Sequence, residues 1–278
     1  MREKIDLNQF REFGDIISDT VVVIKQNFKP LLKSYFVICG LFLLTNILVS
    51  AFVNTNRGDA SLYTLVGIIE IFFNIVNHTA LILVTLSYLA IYKEKGSQAP
   101  EVLEVWGYFK YFFFRVFFTN ILLSIVIVIG IFLCLVPGIY LSVVFSLVIP
   151  IMVFENGNIE YSYKKAFKII KGNWWFTLGI LLIIGIVILM IMAILMVPPI
   201  IIYGGSQWLT GKSLGNIAGI LQAISINLCQ VLWIVPTIAL TLLYFSLTEV
   251  KEGNSLIDRI NMFGKTTPGT DQISSEQY

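Results

Sequence analysis

A chain of 278 residues in which 57% are hydrophobic and only 13% are charged is not an ordinary soluble domain, whose charged share runs near twice that. A formal net charge of +2 excludes a nucleic-acid surface as its organising feature. The three cysteines, Cys39, Cys134 and Cys229, all lie in apolar runs, which excludes a disulfide framework or a zinc site and predicts buried thiols behaving as small hydrophobes.

What remains is an all-α polytopic membrane protein, and residues 1–264 read as one six-helix domain. The first element is an interfacial helix over 9–26, where Phe10, Phe13, Ile17, Val21, Ile24 and Phe28 form a stripe opposite Arg11, Glu12, Asp15 and Asp19. Its charge and the absence of a small-residue cleavage site predict a retained N-terminus, not a secretory signal. Pro30 then falls in the first turn of a new helix after Asn27, where its missing N–H is tolerated.

The first span covers 31–53 and carries Asn46. The second, 66–92, carries Glu70, Asn74, Asn77 and His78, with Glu70, Asn74 and His78 four residues apart along one helical face. After the polar cap "YKEKGS" a short interfacial helix is expected near 99–107, then the third span, 112–135, with Asn120 placed to pair with Ser142 or Ser146 of the fourth, 138–154. Pro137-Gly138 reads as a tight turn and Pro150 as a kink.

"FENGN" ends the fourth span and opens the most regular amphipathic piece, 159–171. Ile159, Tyr163, Ala166, Phe167 and Ile170 share one face, while Glu160, Lys164, Lys168 and Lys171 share the other. Asn158 is a natural N-cap, Gly172 can close the helix, and Asn173 can start the next. Trp174 and Trp175 then stand where an interfacial aromatic belt anchors a fifth span, 174–197.

The following "GSQWLTGKS" resembles a phosphate-binding loop only superficially: five residues, not four, separate Gly205 from Gly211, and no strand precedes it. The sixth span, 220–248, carries Asn227 and Gln230, Pro236 reads as a second kink, and 265–278 is a tail of disordered composition.

Charge sets the expected orientation. With the N-terminus inside, 17 of the 19 lysines and arginines fall on the cytoplasmic side and only Arg57 and Lys212 face out, so both ends are expected to be cytoplasmic. The connections also repeat: "IKQNFKPLL" aligns with "IKGNWWFTL", and spans two, four and six end in Glu- and Gly-containing caps. The pattern reads as three hairpins, each led by an interfacial helix.

Over "CLVPGIYLSVVFSLVIPIMVFENGNIEYSYKKAFKIIKGNWWFTLGIL" the chain resembles a family of bacterial six-span membrane proteins related to the membrane domain of glycerophosphoryl diester phosphodiesterases. Pro137-Gly138-Ile139-Tyr140, Pro150, Phe154-Glu155, Gly157, Ser162, Lys171-Gly172 and Trp174 carry the resemblance, and Ala166 and Phe167 depart from it. It implies a bacterial inner-membrane location and carries over no activity, because the soluble catalytic domain has no counterpart here.

Two functions follow as expectations. The first is a non-catalytic protein that organises envelope partners or anionic lipids through Lys164, Lys165, Lys168 and Lys171, with Trp174 and Trp175 as anchors. The second is a transporter or lipid-handling protein with a polar pocket among Asn46, Asn74, His78, Asn227 and Gln230, since polar groups inside spans are costly and mark sites or helix contacts. No cofactor, metal, nucleic acid or catalytic centre is expected.

Overall fold

The computed structural model describes residues 7, 9–55, 60–210 and 215–263, with side chains over 7, 9–53, 64–202 and 217–251. The tail 265–278, Arg57 and Lys212 lie outside them. Among the described residues the chain is helical without a strand, and six segments are long and apolar enough to cross a membrane.

The expected interfacial helix 9–26 and first span 31–53 are a single element, α1 (Phe13–Thr55), with Pro30 inside it. A proline removes one i to i−4 bond but does not force a break where the flanking residues are well packed. Here Leu31, Ser34 and Tyr35 are buried just beyond it. Asn27 starts no new helix: its Nδ2 donates to the Val23 carbonyl at 3.1 Å and its Oδ1 accepts from Tyr88 Oη at 2.9 Å.

The inner face of this first part also differs from expectation. Ile16, Thr20, Val23 and Asn27 are buried, whereas Phe10, Val21 and Phe28 of the anticipated stripe are exposed. Arg11, expected on the polar face, is 1% exposed and pairs with Asp19 at 2.8 Å. Its backbone N–H donates to Ser246 Oγ.

Helix α2 (Ala60–Glu94) pairs antiparallel with α1, and α3 (Val102–Leu133) follows. The helix expected near 99–107 is therefore the opening of α3, started by Glu104, whose carboxylate accepts from the Glu101 backbone N–H at 2.8 Å. The α3–α4 turn is centred on Cys134, not on Pro137-Gly138, because α4 (Leu135–Phe145) starts one residue later. Cys134 is exposed, unlike the buried Cys39 and Cys229. Gly138 lies inside α4, where a Cβ would sit 2.6 Å from the Ile131 nitrogen; the hairpin closes because that atom is missing.

The fourth span breaks at Ser146-Leu147 and resumes as α5 (Val148–Phe154). Next come α6 (Ile159–Ile170), α7 (Trp174–Thr210) and α8 (Gly215–Cys229). The sixth span also breaks, through a 3₁₀ turn at Gln230–Trp233, before α9 (Ile234–Phe263). Pro150 and Pro236 are each the third residue of the helix that resumes. Lacking an N–H, they leave the carbonyls of Ser146 and Leu232 without the usual i+4 donor.

Helix α6 has the expected cap, with the Asn158 side chain accepting from the Tyr161 N–H at 2.8 Å, and Gly172 at φ +91° closes it. The corresponding position before Asn27 is Gln26, which has no such backbone freedom, so the two aligned stretches fold differently. Nor does α6 stand apart from the spans. Phe145 packs on Tyr163 and Phe167, while Tyr140 packs on Phe167 and Trp174, so α6 runs back antiparallel along α4 and α5. Its buried residues are Ser162, Ala166, Ile169 and Ile170, and the expected apolar positions Ile159 and Tyr163 are exposed.

Candidate functional site

Four of the five pocket residues expected from sequence meet in one hydrogen-bonded node between α1, α2 and the broken sixth span. Asn46 Nδ2 donates to Asn74 Oδ1 at 3.2 Å and Gln230 Nε2 to the same oxygen at 2.6 Å. Asn77 Nδ2 donates to Gln230 Oε1. Asn227 joins through Ser50: its Nδ2 lies 3.4 Å from Ser50 Oγ, which donates to Glu70 Oε1 at 2.5 Å. Asn46 and Asn227 are 0% exposed.

This node is filled with its own side chains. Amides that bond one another across three elements fix helix register and hold the spans together, while the side-chain oxygens of Asn46, Asn77 and Asn227 are buried without a hydrogen-bond partner among the described residues.

His78 is not part of it. Four residues advance a helix by slightly more than one turn, a drift of about 40° per step. From Glu70 to His78 that drift carries the side chain off the face that meets α1. The imidazole instead packs edge-on against Trp233, with ring centroids 5.0 Å apart and planes at 85°, and it lines a separate cavity of about 410 Å³.

Helices α2, α3, α4, α5, α7 and α9 all contribute to that cavity. Its polar groups are His78, Asn120, Ser124, Ser142, Ser146 and Thr237, and leucines, isoleucines and Phe145 make up most of the rest; no charged side chain lines it. Asn120 does not pair with Ser142 or Ser146 but donates to Thr79 Oγ1 at 2.9 Å. Both helix breaks open here, since Ser146, Pro150, Trp233 and Pro236 are all in the wall. Few polar groups in a mostly apolar wall of this size suit a small amphiphile.

At the end carrying the lysine-rich connections the loop 154–158 is tightly built. Arg115 donates to Asn156 Oδ1 at 3.1 Å and to the Gly157 carbonyl, and Asn156 takes φ +48°. Glu155 accepts from Tyr161 at 2.5 Å and from Tyr244, and pairs with Lys165 at 2.5 Å, the two charged side chains being 20% and 19% exposed. Burial works to raise the Glu155 carboxyl. The Lys165 ammonium and the hydroxyls of Tyr161 and Tyr244 outweigh it and hold the group below its ordinary range.

Lys165 is thus part of the fold, not of a free basic surface. Lys164 pairs with Glu160 on the exposed face at 2.6 Å, Lys168 and Lys171 are exposed, and Trp175 is 78% exposed. Trp174 is held, stacking on Tyr140 at 5.9 Å and donating to its carbonyl at 3.4 Å.

Sequence reasoning missed Ser50 as the bridge, Trp233 as the partner of His78, and Glu155 as the centre of a network. The last had a signal: an acidic residue followed by Asn-Gly, a pair suited to a turn with positive φ. No family model, curated protein or solved structure matches the chain. The resemblance to the glycerophosphoryl diester phosphodiesterase membrane domain rests on the quoted residues alone.

Proposed function

We propose that this is a non-catalytic integral membrane protein that holds and passes an uncharged, lipid-like amphiphile through the cavity around His78. The observation that carries this reading is the convergence of two broken spans on one cavity. The backbone stays right-handed helical through both irregularities, but each proline frees one carbonyl, of Ser146 and of Leu232, and a tightened turn inside a span can serve as a hinge. The uncharged wall matches a ligand without net charge, because an ion placed there lacks a counter-charge. No hydrogen bond joins His78 to a serine or carboxylate among the described residues, so its role is to bind and orient.

The orientation with both ends cytoplasmic rests on the basic residues, and the bacterial inner-membrane location on the resemblance. Monooleoylglycerol is a suitable probe, being uncharged with an apolar tail and hydroxyls. It should raise the Tm of the purified protein, and Ser146→Phe, which fills the cavity, should abolish the shift. A shift unchanged in both Ser146→Phe and His78→Leu overturns the reading.

A second role is supported by the exposed Lys168, Lys171 and Trp175, which together suit an anionic headgroup surface, each lysine contributing about 1 kcal/mol. Lys168→Gln with Lys171→Gln should reduce the phosphatidylglycerol retained in native mass spectra. Unchanged retention removes this role.

A further inference from the structure

We infer a second lipid site at the lysine-rich end, outside the central cavity and independent of it: a pocket for the headgroup of a zwitterionic phospholipid, of the phosphocholine or phosphoethanolamine type. It is a cavity of about 560 Å³ between α2, α3 and the 154–158 loop. Its wall combines an acidic group, a basic group and a cluster of aromatic rings.

Tyr108, Tyr111, Phe112 and Phe154 supply the rings. Tyr111 and Phe112 stand at 88° with centroids 4.7 Å apart, and Tyr108 and Phe112 at 37° and 6.2 Å, so the rings of this wall are inclined to one another. Aromatic rings and a carboxylate lining one space suit a cation, because the negative face of a ring attracts an ammonium. The carboxylate is Glu94, fixed by Tyr108 Oη, which donates to its Oε1 at 2.6 Å. Its Oε2 is the oxygen offered to the ligand.

Lys93 lines the same cavity and also the adjoining one of about 310 Å³, where its Nζ stands 4.3 Å from the Phe245 ring centroid. A carboxylate and an ammonium on neighbouring residues of α2 complement a ligand with opposite charges a few ångströms apart. Glu155 and Glu249 line the adjoining cavity, so the surroundings disfavour a purely anionic headgroup.

A membrane lipid, not a soluble headgroup, is the source the surface favours. From the pocket rim an apolar ridge runs along α3: Tyr111, Phe114, Phe118 and Leu122 are 66%, 69%, 64% and 49% exposed. They recur every three or four residues on one helical face. The ridge extends roughly 16 Å, enough to carry most of an acyl chain whose headgroup sits in the pocket.

The test uses the purified full-length protein with dihexanoyl phosphatidylcholine, phosphatidylethanolamine and phosphatidylglycerol, read by thermal shift and native mass spectrometry. The two zwitterionic lipids should bind at least about tenfold tighter than phosphatidylglycerol, and Glu94→Gln, which keeps an acceptor for Tyr108, should weaken them about fivefold or more. Tyr111→Leu, at an exposed ring, should do the same and serves should Glu94→Gln fail to fold. Glycerophosphocholine without chains should bind at least about tenfold more weakly than the lipid. Equal or tighter binding of phosphatidylglycerol by the Lys168→Gln, Lys171→Gln protein, which lacks the anionic-headgroup surface, overturns the site. So does unchanged affinity in the folded variants tested, and glycerophosphocholine binding as tightly as the lipid overturns the membrane source. His78→Leu should leave the headgroup preference intact; a preference lost there but kept in Glu94→Gln assigns it to the central cavity and overturns the inference.

Discussion

Glu155 shows how one side chain can hold a turn of a membrane protein together. Its carboxylate ties α6 through Lys165 and Tyr161, and α9 through Tyr244. Replacing it by Gln removes the charge-assisted part of three contacts and should cost about 1–3 kcal/mol. Because its folded pKa is lowered, the stabilisation is present above the unfolded value near 4.3 and is lost as pH falls through the folded one. Thermal melts should therefore show wild type losing its advantage over Glu155→Gln below about pH 4; a constant difference down to about pH 3 contradicts the assignment. Next to it, a Cβ on Gly157 would lie 2.4 Å from Tyr161 Cδ1. Gly157→Ala should displace that ring and destabilise by about 1–3 kcal/mol in denaturant titration. At this scale much of the chemistry was legible, since Asn158 capping, Gly172 closure and the exposed Lys164, Lys168 and Lys171 follow from residue type and spacing. Lys165 did not, because its partner lies ten residues back across a turn and pairing across a turn leaves no periodic trace.

At the scale of elements, hydropathy located all six spans but misjudged where the backbone stops. Two pauses in hydropathy, near residue 30 and near 108, are uninterrupted helix, since a polar or proline-containing turn is not by itself a chain break. The irregularities that do occur come just before Pro150 and Pro236, where the prolines themselves were the signal. Nor could periodicity say which side of α1 faces protein. Lipid and protein interior are both apolar, so hydrophobicity alone does not separate the outward Phe10, Val21 and Phe28 from the inward Ile16, Thr20 and Val23. Two predictions belong here. Gly138→Ala, which brings a Cβ within 2.6–2.7 Å of Ile131 backbone atoms, should separate α3 from α4 and cost about 3 kcal/mol or more, seen as a fall in Tm; a cost below about 1 kcal/mol contradicts the close approach. Pro150→Ala with Pro236→Ala restores the donors to Ser146 and Leu232. It should leave stability unchanged or raised while weakening monooleoylglycerol binding about tenfold, and undiminished binding would show that the breaks do not serve the ligand.

For the molecule as a whole, composition and charge established an all-helical chain with six segments able to span a membrane, and the structure separates two things the sequence had merged. The amide residues Asn46, Asn74, Asn227 and Gln230 lock α1, α2 and the sixth span together, while His78, only four residues beyond Asn74, looks into the cavity between the two broken spans. Helical drift and the 3₁₀ turn at Gln230–Trp233 make that separation, and neither can be summed from spacing alone. The central claim is that this cavity holds the ligand. A photoactivatable monoacylglycerol bearing a diazirine on its chain, bound to the protein in nanodiscs, irradiated and mapped by peptide mass spectrometry, tests it most directly. The account predicts adducts within 142–150 and 233–240 that disappear in Ser146→Phe. Adducts confined to the lipid-facing residues of α3 and α7, such as Phe118, Phe132 and Leu189, and indifferent to that substitution, would contradict it.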